Sequence, residues 1–298
     1  PYGGAVVSPD GLPNDPQAAD DTHPRYRMNV KNVTTLMLSG RGRDVVTGSP
    51  GNDVIAGGGE RVDVTGGLGD AIDGGGGDDR ISGYGFGEVI DGGGGADTID
   101  YSPAGACGLS LDGVANDGAG GTSNLLGFEN AVGCGGGGAV TGNDEPNLLR
   151  AAGNAATLSG LGGDDQLVGG DASDTLNGGD GNDLLKGGNG GDALNGDAGS
   201  DTLVGELGAD TLIGGADTDV ADYSAKLYPV TVTLDGAAND GLAGEGDNVQ
   251  TDDVTGGLDA DAITFAPRSW PSWPSLAPTC SPARAATTPP TTRAPARA

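Results

Sequence analysis

Hydrophobic and polar positions repeat with a period of nine residues between positions 160 and 222. Cut every nine residues, this stretch reads GLGGDDQLV, GGDASDTLN, GGDGNDLLK, GGNGGDALN, GDAGSDTLV, GELGADTLI and GGADTDVAD. The sixth position is always aspartate: Asp165, Asp174, Asp183, Asp192, Asp201, Asp210 and Asp219. The eighth is leucine in six units and Ala221 in the last. A fixed period with one apolar position predicts a stacked-repeat fold, because each unit can bury that residue only against its neighbours.

Each unit divides into two halves with different local preferences. The glycine-rich half predicts a tight turn, since glycine tolerates positive φ and close backbone approach. The other half predicts a three-residue strand with one inward side chain, because alternate residues of a strand point to opposite faces. The sequence therefore predicts an all-β protein.

The units follow G-G-x-G-x-D-x-U-x, where U is a large aliphatic residue, and here the chain resembles the RTX (repeats-in-toxin) calcium-binding family. The resemblance covers about residues 36–264 and is most specific over 160–222. It implies a right-handed parallel β-roll in which two units make one coil. It also implies calcium as the bound ion and the sixth-position aspartates as its ligands.

Two units per coil place residues 18 apart on the same edge. One edge would carry Asp165, Asp183, Asp201 and Asp219, and the other would carry Asp174, Asp192 and Asp210. Adjacent coils lie about 4.8 Å apart, so stacked carboxylates repel unless a cation lies between them. Ca²⁺ takes 6 to 8 oxygen ligands in flexible geometry, whereas Mg²⁺ demands a tighter octahedron. Neighbouring pairs give about five Ca²⁺ sites in this array, three on one edge and two on the other.

The charge of the chain supports a cationic ligand. The formal net charge is −29, and residues 142–222 hold 16 acidic residues against Arg150 and Lys186. Without counter-ions, so acidic and glycine-rich a segment should stay unfolded. The same charge argues against nucleic acid as a partner, and no apolar run is long enough to cross a membrane.

A first, less regular array occupies residues 36–100. Its clear units carry Asp44, Asp53, Asp79 and Asp97 at the sixth position. Asp79 and Asp97 are 18 apart and are expected to form one site. A one-residue deletion near Asp70 breaks the register, which predicts a distorted coil and fewer ions than in the second array. Nearby arginines, Arg80 among them, are expected to neutralise aspartates where calcium is absent.

Two related segments interrupt the repeats, one beginning DYSPAGACGLSLDGVANDG at Asp100 and one beginning DYSAKLYPVTVTLDGAANDG at Asp222. Their similarity indicates an internal duplication. Alternating Val230, Val232 and Leu234 predict a strand, so we interpret both segments as β-hairpin spacers. Tyr101 and Tyr223 are interpreted as aromatic plugs at the end of a roll.

Cys107 and Cys134 flank the first spacer and have no counterpart in the second. A disulfide here would stabilise the fold by roughly 3 kcal/mol and would fit an oxidising, extracellular location. Two free thiols are the alternative that the sequence leaves open.

The predicted organisation has seven segments. They are a lead-in (1–35), the first roll (36–100), a spacer (101–141), the second roll (142–222), a second spacer (223–255), the start of a third array (256–264) and a tail (265–298). The tail is rich in Pro and Ala and contains no acidic residue. It is either a disordered linker or the product of a frameshift, and the frameshift is favoured.

No catalytic motif is present. There is no H-E-x-x-H or G-x-S-x-G, and one histidine cannot furnish a zinc-protease ligand set. The favoured function is therefore a secreted, non-catalytic calcium-binding roll that folds when it meets extracellular Ca²⁺. The alternatives are a surface adhesin that contacts a cell surface, extracellular matrix, glycan or ice, and the repeat region of a larger secreted enzyme or toxin. The sequence does not indicate an oligomeric state.

Overall fold

The computed structural model of the chain describes residues 27–29, 36–37, 45–48, 50–56, 71–82, 88–118, 121 and 123–264. Asp44, the lead-in before Arg27, Asp70 and the tail after Thr264 lie outside these residues, so the expectations for them stay untested. No helix long and apolar enough to span a membrane occurs among the residues described.

Short strands follow one another along the chain. The first eleven are Arg27–Asn29 (β1), Leu36–Met37 (β2), Val45–Thr47 (β3), Val54–Ala56 (β4), Ala71–Asp73 (β5), Arg80–Ser82 (β6), Val89–Asp91 (β7), Thr98–Asp100 (β8), Leu109–Ser110 (β9), Asn124–Leu126 (β10) and Asn130–Val132 (β11). The next seven are Gly138–Thr141 (β12), Leu148–Arg150 (β13), Ala156–Gly162 (β14), Gln166–Gly170 (β15), Thr175–Asp180 (β16), Leu184–Asn189 (β17) and Ala193–Ala198 (β18). The last seven are Thr202–Leu207 (β19), Thr211–Ala216 (β20), Val220–Asp222 (β21), Thr231–Val232 (β22), Asn248–Gln250 (β23), Asp253–Thr255 (β24) and Ala262–Ile263 (β25).

The strands form a parallel β-solenoid, as the repeat predicts. Alternate strands make an eleven-stranded parallel sheet in the order β2-β4-β6-β8-β11-β13-β15-β17-β19-β21-β24, which we call the spine sheet. The intervening strands form a five-stranded sheet, β1-β3-β5-β7-β10, and a seven-stranded sheet, β23-β20-β18-β16-β14-β12-β9. In the second array the partners are 18 residues apart, for example Leu167 with Leu185 and Leu176 with Leu194. Two units therefore make one coil.

The core is a column of aliphatic side chains from the eighth position of each unit. Leu167, Leu176, Leu185 and Leu203 are fully buried, and Ile81, Ile90 and Ile99 continue the column through the first array. Each inward residue packs between those of adjacent coils. Strands β15 to β20 of the second array have five or six residues instead of three, because the glycines and turn residues after each apolar triplet also pair with the neighbouring coil.

The irregular part of the first array is a longer coil. β4 pairs with β6 and β3 pairs with β5 across 26 residues instead of 18. The additional residues lie between β4 and β5, mostly in 57–70, outside the described part of the chain. Strand pairing returns to the 18-residue step between β6 and β8.

The two spacers have the same topology. Each contains antiparallel bridges, Gly108 with Gly118 in the first and Thr231 with Gly241 in the second. Each also adds a strand to the spine sheet, β11 and β24 respectively. The spine sheet therefore runs through both arrays and both spacers without a break.

The sheet on the other side changes at each spacer. β10 ends the five-stranded sheet while β9 begins the seven-stranded one, and β23 ends the seven-stranded sheet while β22 begins a new pair with β25. The strand β25, within 256–264, thus occupies the same position after the second spacer as β12 does after the first. Cys107 and Cys134 form a disulfide with a Cα–Cα distance of 5.7 Å, which confirms the predicted bridge.

Candidate metal centre

The sixth-position aspartates form two hydrogen-bonded ladders, one on each edge of the roll. On one edge the Oδ1 atom of Asp183 accepts the backbone N–H of Asp165 at 2.8 Å, and Asp201 and Asp219 repeat the contact with the coil before them. On the other edge Asp192 and Asp210 do the same toward Asp174 and Asp192. The two stacks are therefore the ones expected from the period, with one carboxylate in each coil.

The second carboxylate oxygen of these residues is buried and accepts no hydrogen bond. This holds for the Oδ2 atoms of Asp79, Asp97, Asp165, Asp174, Asp183, Asp192, Asp201 and Asp210. A buried polar atom without a partner is costly, since it has lost its hydration and gained no compensating contact. Each such oxygen is free to serve as a ligand for a cation.

A glycine carbonyl lies beside seven of these eight oxygens, all but that of Asp210. A Cβ on Gly160 would stand 2.0 Å from Asp165 Oδ2 and 2.5 Å from the Gly178 carbonyl, and one on Gly178 would stand 2.2 Å from Asp183 Oδ2 and 2.7 Å from the Gly196 carbonyl. The first position of the unit must therefore be glycine, because a side chain there would clash with the carboxylate and with the carbonyl. It lets a carboxylate oxygen and a main-chain oxygen of the next coil converge above its Cα.

Burial changes the acidity of the stacked carboxylates. Desolvation raises the pKa of Asp165 and of Asp210 to about 7, while the backbone N–H each accepts acts in the opposite direction. The pKa of Asp201 rises to about 6 for the same reason. Repulsion from neighbouring carboxylates adds to the shift in all three. A bound cation would lower these pKa values, because it favours the charged form.

The first array continues one of the ladders with uneven steps. Asp79 Oδ1 accepts the N–H of Asp53, 26 residues earlier, and Asp97 Oδ1 accepts the N–H of Asp79 at the regular step of 18. Desolvation raises the pKa of Asp79 to about 6. The expected pairing of Asp79 with Asp97 is present, and Asp53 joins them despite the longer coil. Arg80 forms an ion pair with Asp100, at 2.5 Å.

Three further acidic residues belong to the ladders, and the nine-residue pattern does not identify them. Glu129 accepts the N–H of Asp97, Asp247 accepts that of Asp210, and Asp252 accepts that of Asp219. All three lie in the spacers, at steps of 32, 37 and 33 residues. The signal that could have found them is an acidic residue directly before an x-apolar-x triplet, as in the segment Glu129–Val132.

Two positions in the same ladders carry no carboxylate. Asn147 donates its backbone N–H to Asp165 and its side-chain amide to the carbonyl of Glu129. Ala156 donates its N–H to Asp174. These residues occupy the sixth position of the two units before Gly160, so the carboxylate stacks of the second array begin at Asp165 and Asp174.

Tyr101 and Tyr223 are buried within the solenoid, where each hydroxyl faces an acidic side chain. The hydroxyl of Tyr223 donates to Asp247 Oδ2 at 2.7 Å, and that of Tyr101 donates to Glu88 at 3.3 Å. Burial raises the pKa of both phenols, so they stay protonated as donors. Both rings pack in the core, as expected, but the spine sheet continues past each of them, so the expectation that they plug the end of a roll is wrong.

Side chains alone do not assemble a metal site in the described part of the chain. No three His, Cys, Asp or Glu side chains converge closely enough to hold an ion. A calcium site here therefore needs main-chain carbonyl oxygens beside the carboxylates. Ca²⁺ accepts such mixed oxygen ligands readily.

Comparison with known proteins agrees with this geometry. Residues 37–61, 153–185 and 186–221 match a family model, the RTX calcium-binding nonapeptide repeat in four copies. The chain carries RTX calcium-binding repeats. RTX repeats bind Ca²⁺ and form a structural module that is typically non-catalytic. No curated protein matches the chain.

Proposed function

We propose that this protein is a secreted, non-catalytic structural module whose RTX roll folds when Ca²⁺ binds between the stacked aspartates. One observation carries the proposal: the Oδ2 atoms of eight ladder aspartates, six of them in the second array, are buried and have no hydrogen-bond partner. Folding without a cation would leave these oxygens both desolvated and mutually repelling. Binding of Ca²⁺ offsets both costs, so its binding free energy becomes folding free energy.

The proposed sites lie between neighbouring rungs of each ladder. In the second array they are the pairs Asp165/Asp183, Asp183/Asp201, Asp201/Asp219, Asp174/Asp192 and Asp192/Asp210. Each site would combine carboxylate oxygens with the carbonyl of a first-position glycine, such as Gly178 or Gly196. Five ions would contribute a charge of about +10 to a segment with a net charge of about −14.

The first array is proposed to bind fewer ions. Asp79 and Asp97 stand at the regular step and form the best pair there. Asp53 is adjacent to Asp79 but reaches it through the 26-residue coil. Asp44 remains a proposed ligand on its sequence position alone. We also propose the segment boundaries at 36–100, 101–141, 142–222 and 223–255, on the repeats and the related spacers.

Extracellular location is proposed from two features. The disulfide between Cys107 and Cys134 persists only where thiols are not kept reduced. The acidic roll would remain unfolded at the low free Ca²⁺ of the cytosol and fold outside the cell, where Ca²⁺ is abundant. At that location we propose contacts with a cell surface or the extracellular matrix. We propose neither binding to nucleic acid nor insertion into a membrane.

A calcium titration of the full chain, followed by far-ultraviolet circular dichroism, tests the proposal. After removal of Ca²⁺ with a chelator, we expect a coil-like spectrum that converts cooperatively to β-structure as Ca²⁺ is added. Mg²⁺ serves as the control and should not produce the transition at similar concentration. A β-rich spectrum in chelator that Ca²⁺ leaves unchanged would contradict the proposal and favour an adhesin that is folded without metal.

A further inference from the structure

One cationic side chain stands at the C-terminal end of the ladder formed by Asp174, Asp192 and Asp210. Lys226 lies in the second spacer, where its ammonium group donates to the main-chain carbonyl of Glu206 and to Glu245 Oε1, the latter at 2.7 Å. The side chains of Lys226 and Glu245 are only 12% and 7% exposed. This pair is therefore largely shielded from solvent.

The carbonyl that Lys226 contacts belongs to a regular column of main-chain oxygens. Gly170, Gly188 and Glu206 follow one another in register at the second position of their units. The carbonyl of Gly170 approaches Gly188 so closely that a Cβ on Gly188 would stand 2.1 Å from it. Glu206 is the last member, and Lys226 covers its carbonyl where the next coil would otherwise lie.

The carboxylates around this end are buried and differ in their partners. Asp210 donates its N–H to Asp247 Oδ1, and Asp247 Oδ2 accepts the hydroxyl of Tyr223. The Oδ2 atom of Asp210 is buried and has no partner. Glu245 Oε2 lies beside Asp247 Oδ2 above Gly241, since a Cβ there would stand 2.9 Å and 2.5 Å from the two oxygens. The end of the ladder therefore needs a positive charge.

We propose that the ammonium group of Lys226 is a built-in cation that ends the calcium column, so that no Ca²⁺ binds between Asp210 and Asp247. It supplies one positive charge to the carbonyl of Glu206 and the carboxylate of Glu245, at the point where the column of coils ends. Unlike Ca²⁺, the ammonium group is covalently attached to the chain, so the column of calcium sites ends at the same coil in every molecule. This inference rests on the proposed calcium binding of the interior sites.

The first spacer supplies a natural comparison. Ala104 follows Tyr101 there as Lys226 follows Tyr223, and the N–H of each donates to the carbonyl of its tyrosine. The lysine is thus specific to the second spacer. Replacing Lys226 by alanine gives this turn the residue of its counterpart and opens space next to Glu206 and Glu245.

Counting bound Ca²⁺ on the full chain tests the proposal, by equilibrium dialysis with radioactive Ca²⁺ and by native mass spectrometry. We expect Lys226→Ala to bind one ion more than the wild type. Lys186→Ala is the matched control, because it removes the same charge from strand β17 and should leave the count unchanged. A count for Lys226→Ala equal to or below that of the wild type overturns the proposal.

Two further measurements identify the cause if Lys226→Ala binds no additional ion. If Lys226→Ala stays unfolded at saturating Ca²⁺, Lys226→Arg decides, because it keeps the charge. A folded arginine variant with the wild-type count supports a built-in cation, and an unfolded one shows that packing, not charge, is required and overturns the proposal. A wild type that binds no Ca²⁺ would instead refute the proposed function itself.

Discussion

The first and second arrays share one spine sheet and one aliphatic core, but they differ in the spacing of their carboxylates. In the second array each rung follows the last by 18 residues on both edges. In the first array the described steps on one edge are 26, 18 and 32 residues. The strands differ as well, with three residues in β5 to β8 and five or six in β15 to β20.

The difference shows that the two functions of a repeat unit have separate requirements. The aliphatic column needs only one inward residue per strand, so it tolerates a longer coil, and Ile55 and Ile81 remain buried across the 26-residue step. A regular oxygen site needs the turns of successive coils to stack as well. We therefore expect spacing, more than acidic composition, to set how many ions each array can hold.

Removing one rung of each array should give the largest contrast. Asp183 stands between two rungs at the regular step, so Asp183→Asn would impair two proposed sites at once. We expect the midpoint of the Ca²⁺ titration to rise by about tenfold or more. Asp53→Asn, at the 26-residue step, should shift it much less. Equal shifts in the two variants would show that spacing does not control binding.

Shortening the core residue should affect both arrays alike. Leu185 and Ile81 are both fully buried, so Leu185→Ala and Ile81→Ala should each cost about 2–5 kcal/mol through lost burial and a residual cavity. Thermal unfolding at saturating Ca²⁺ measures the effect. Leu207→Ala, at a side chain 58% exposed, is the control and should change little. A clearly smaller loss for Ile81→Ala would mean that the first array is not packed like the second.

Adding one methyl group tests the role of the first-position glycine. In Gly178→Ala the new Cβ would stand 2.2 Å from Asp183 Oδ2 and 2.7 Å from the Gly196 carbonyl. We expect a loss of about 1–3 kcal/mol together with weaker Ca²⁺ binding. Gly94→Ala in the first array has no atom within 4 Å of its Cβ and should be nearly neutral. The prediction fails if Gly178→Ala binds Ca²⁺ as tightly as the wild type.

The smallest effect concerns pH in the absence of Ca²⁺. The folded state raises the pKa of Asp165 and Asp210 from 3.8 to about 7 and that of Asp79 to about 6. Folding therefore favours the protonated carboxyl groups. Their stabilising contribution is fully present below the unfolded pKa and is lost as pH rises through about 6 to 7.

Circular dichroism in Ca²⁺-free buffer, from about pH 7.5 down to about pH 4.5, measures this dependence. We expect more β-structure at the acidic end. Saturating Ca²⁺ should reverse the trend, because protons then compete with the ion for the same oxygens. The double variant Asp165→Asn/Asp210→Asn should flatten the Ca²⁺-free profile. An unchanged profile in that variant would assign the pH dependence to other groups.

The regular part of the solenoid could be predicted from sequence because its contacts are periodic. A nine-residue unit with Asp at position six and Leu at position eight predicts the inward column, and the resemblance to RTX repeats implied the two-unit coil that divides the aspartates into two ladders. Two cysteines at the ends of one spacer favoured the disulfide, although the sequence left two free thiols open as the alternative. The strands of the second array were predicted too short. Glycine has a low propensity for strands, so the sequence does not show that turn residues such as Gly170 and Gly188 also pair between coils.

The ends of the ladders could not be predicted in the same way. Glu129, Asp247 and Asp252 reach their partners across steps of 32 to 37 residues, after segments whose length depends on loop closure. Lys226 reaches Glu206 over 20 residues through a side chain that no repeat position specifies. Contacts of this kind depend on where the inserted loop returns to the roll, and the periodic pattern contains no information about that.

The unbroken spine sheet has an evolutionary consequence. Each spacer closes one side sheet, opens another and adds a strand to the spine sheet in the same register. A gene segment bounded by the equivalent tyrosines, Tyr101 and Tyr223, could therefore be duplicated in frame without the invention of a new interface. Lengthening such a protein requires recombination alone, and selection can then modify each added copy independently at its own turns.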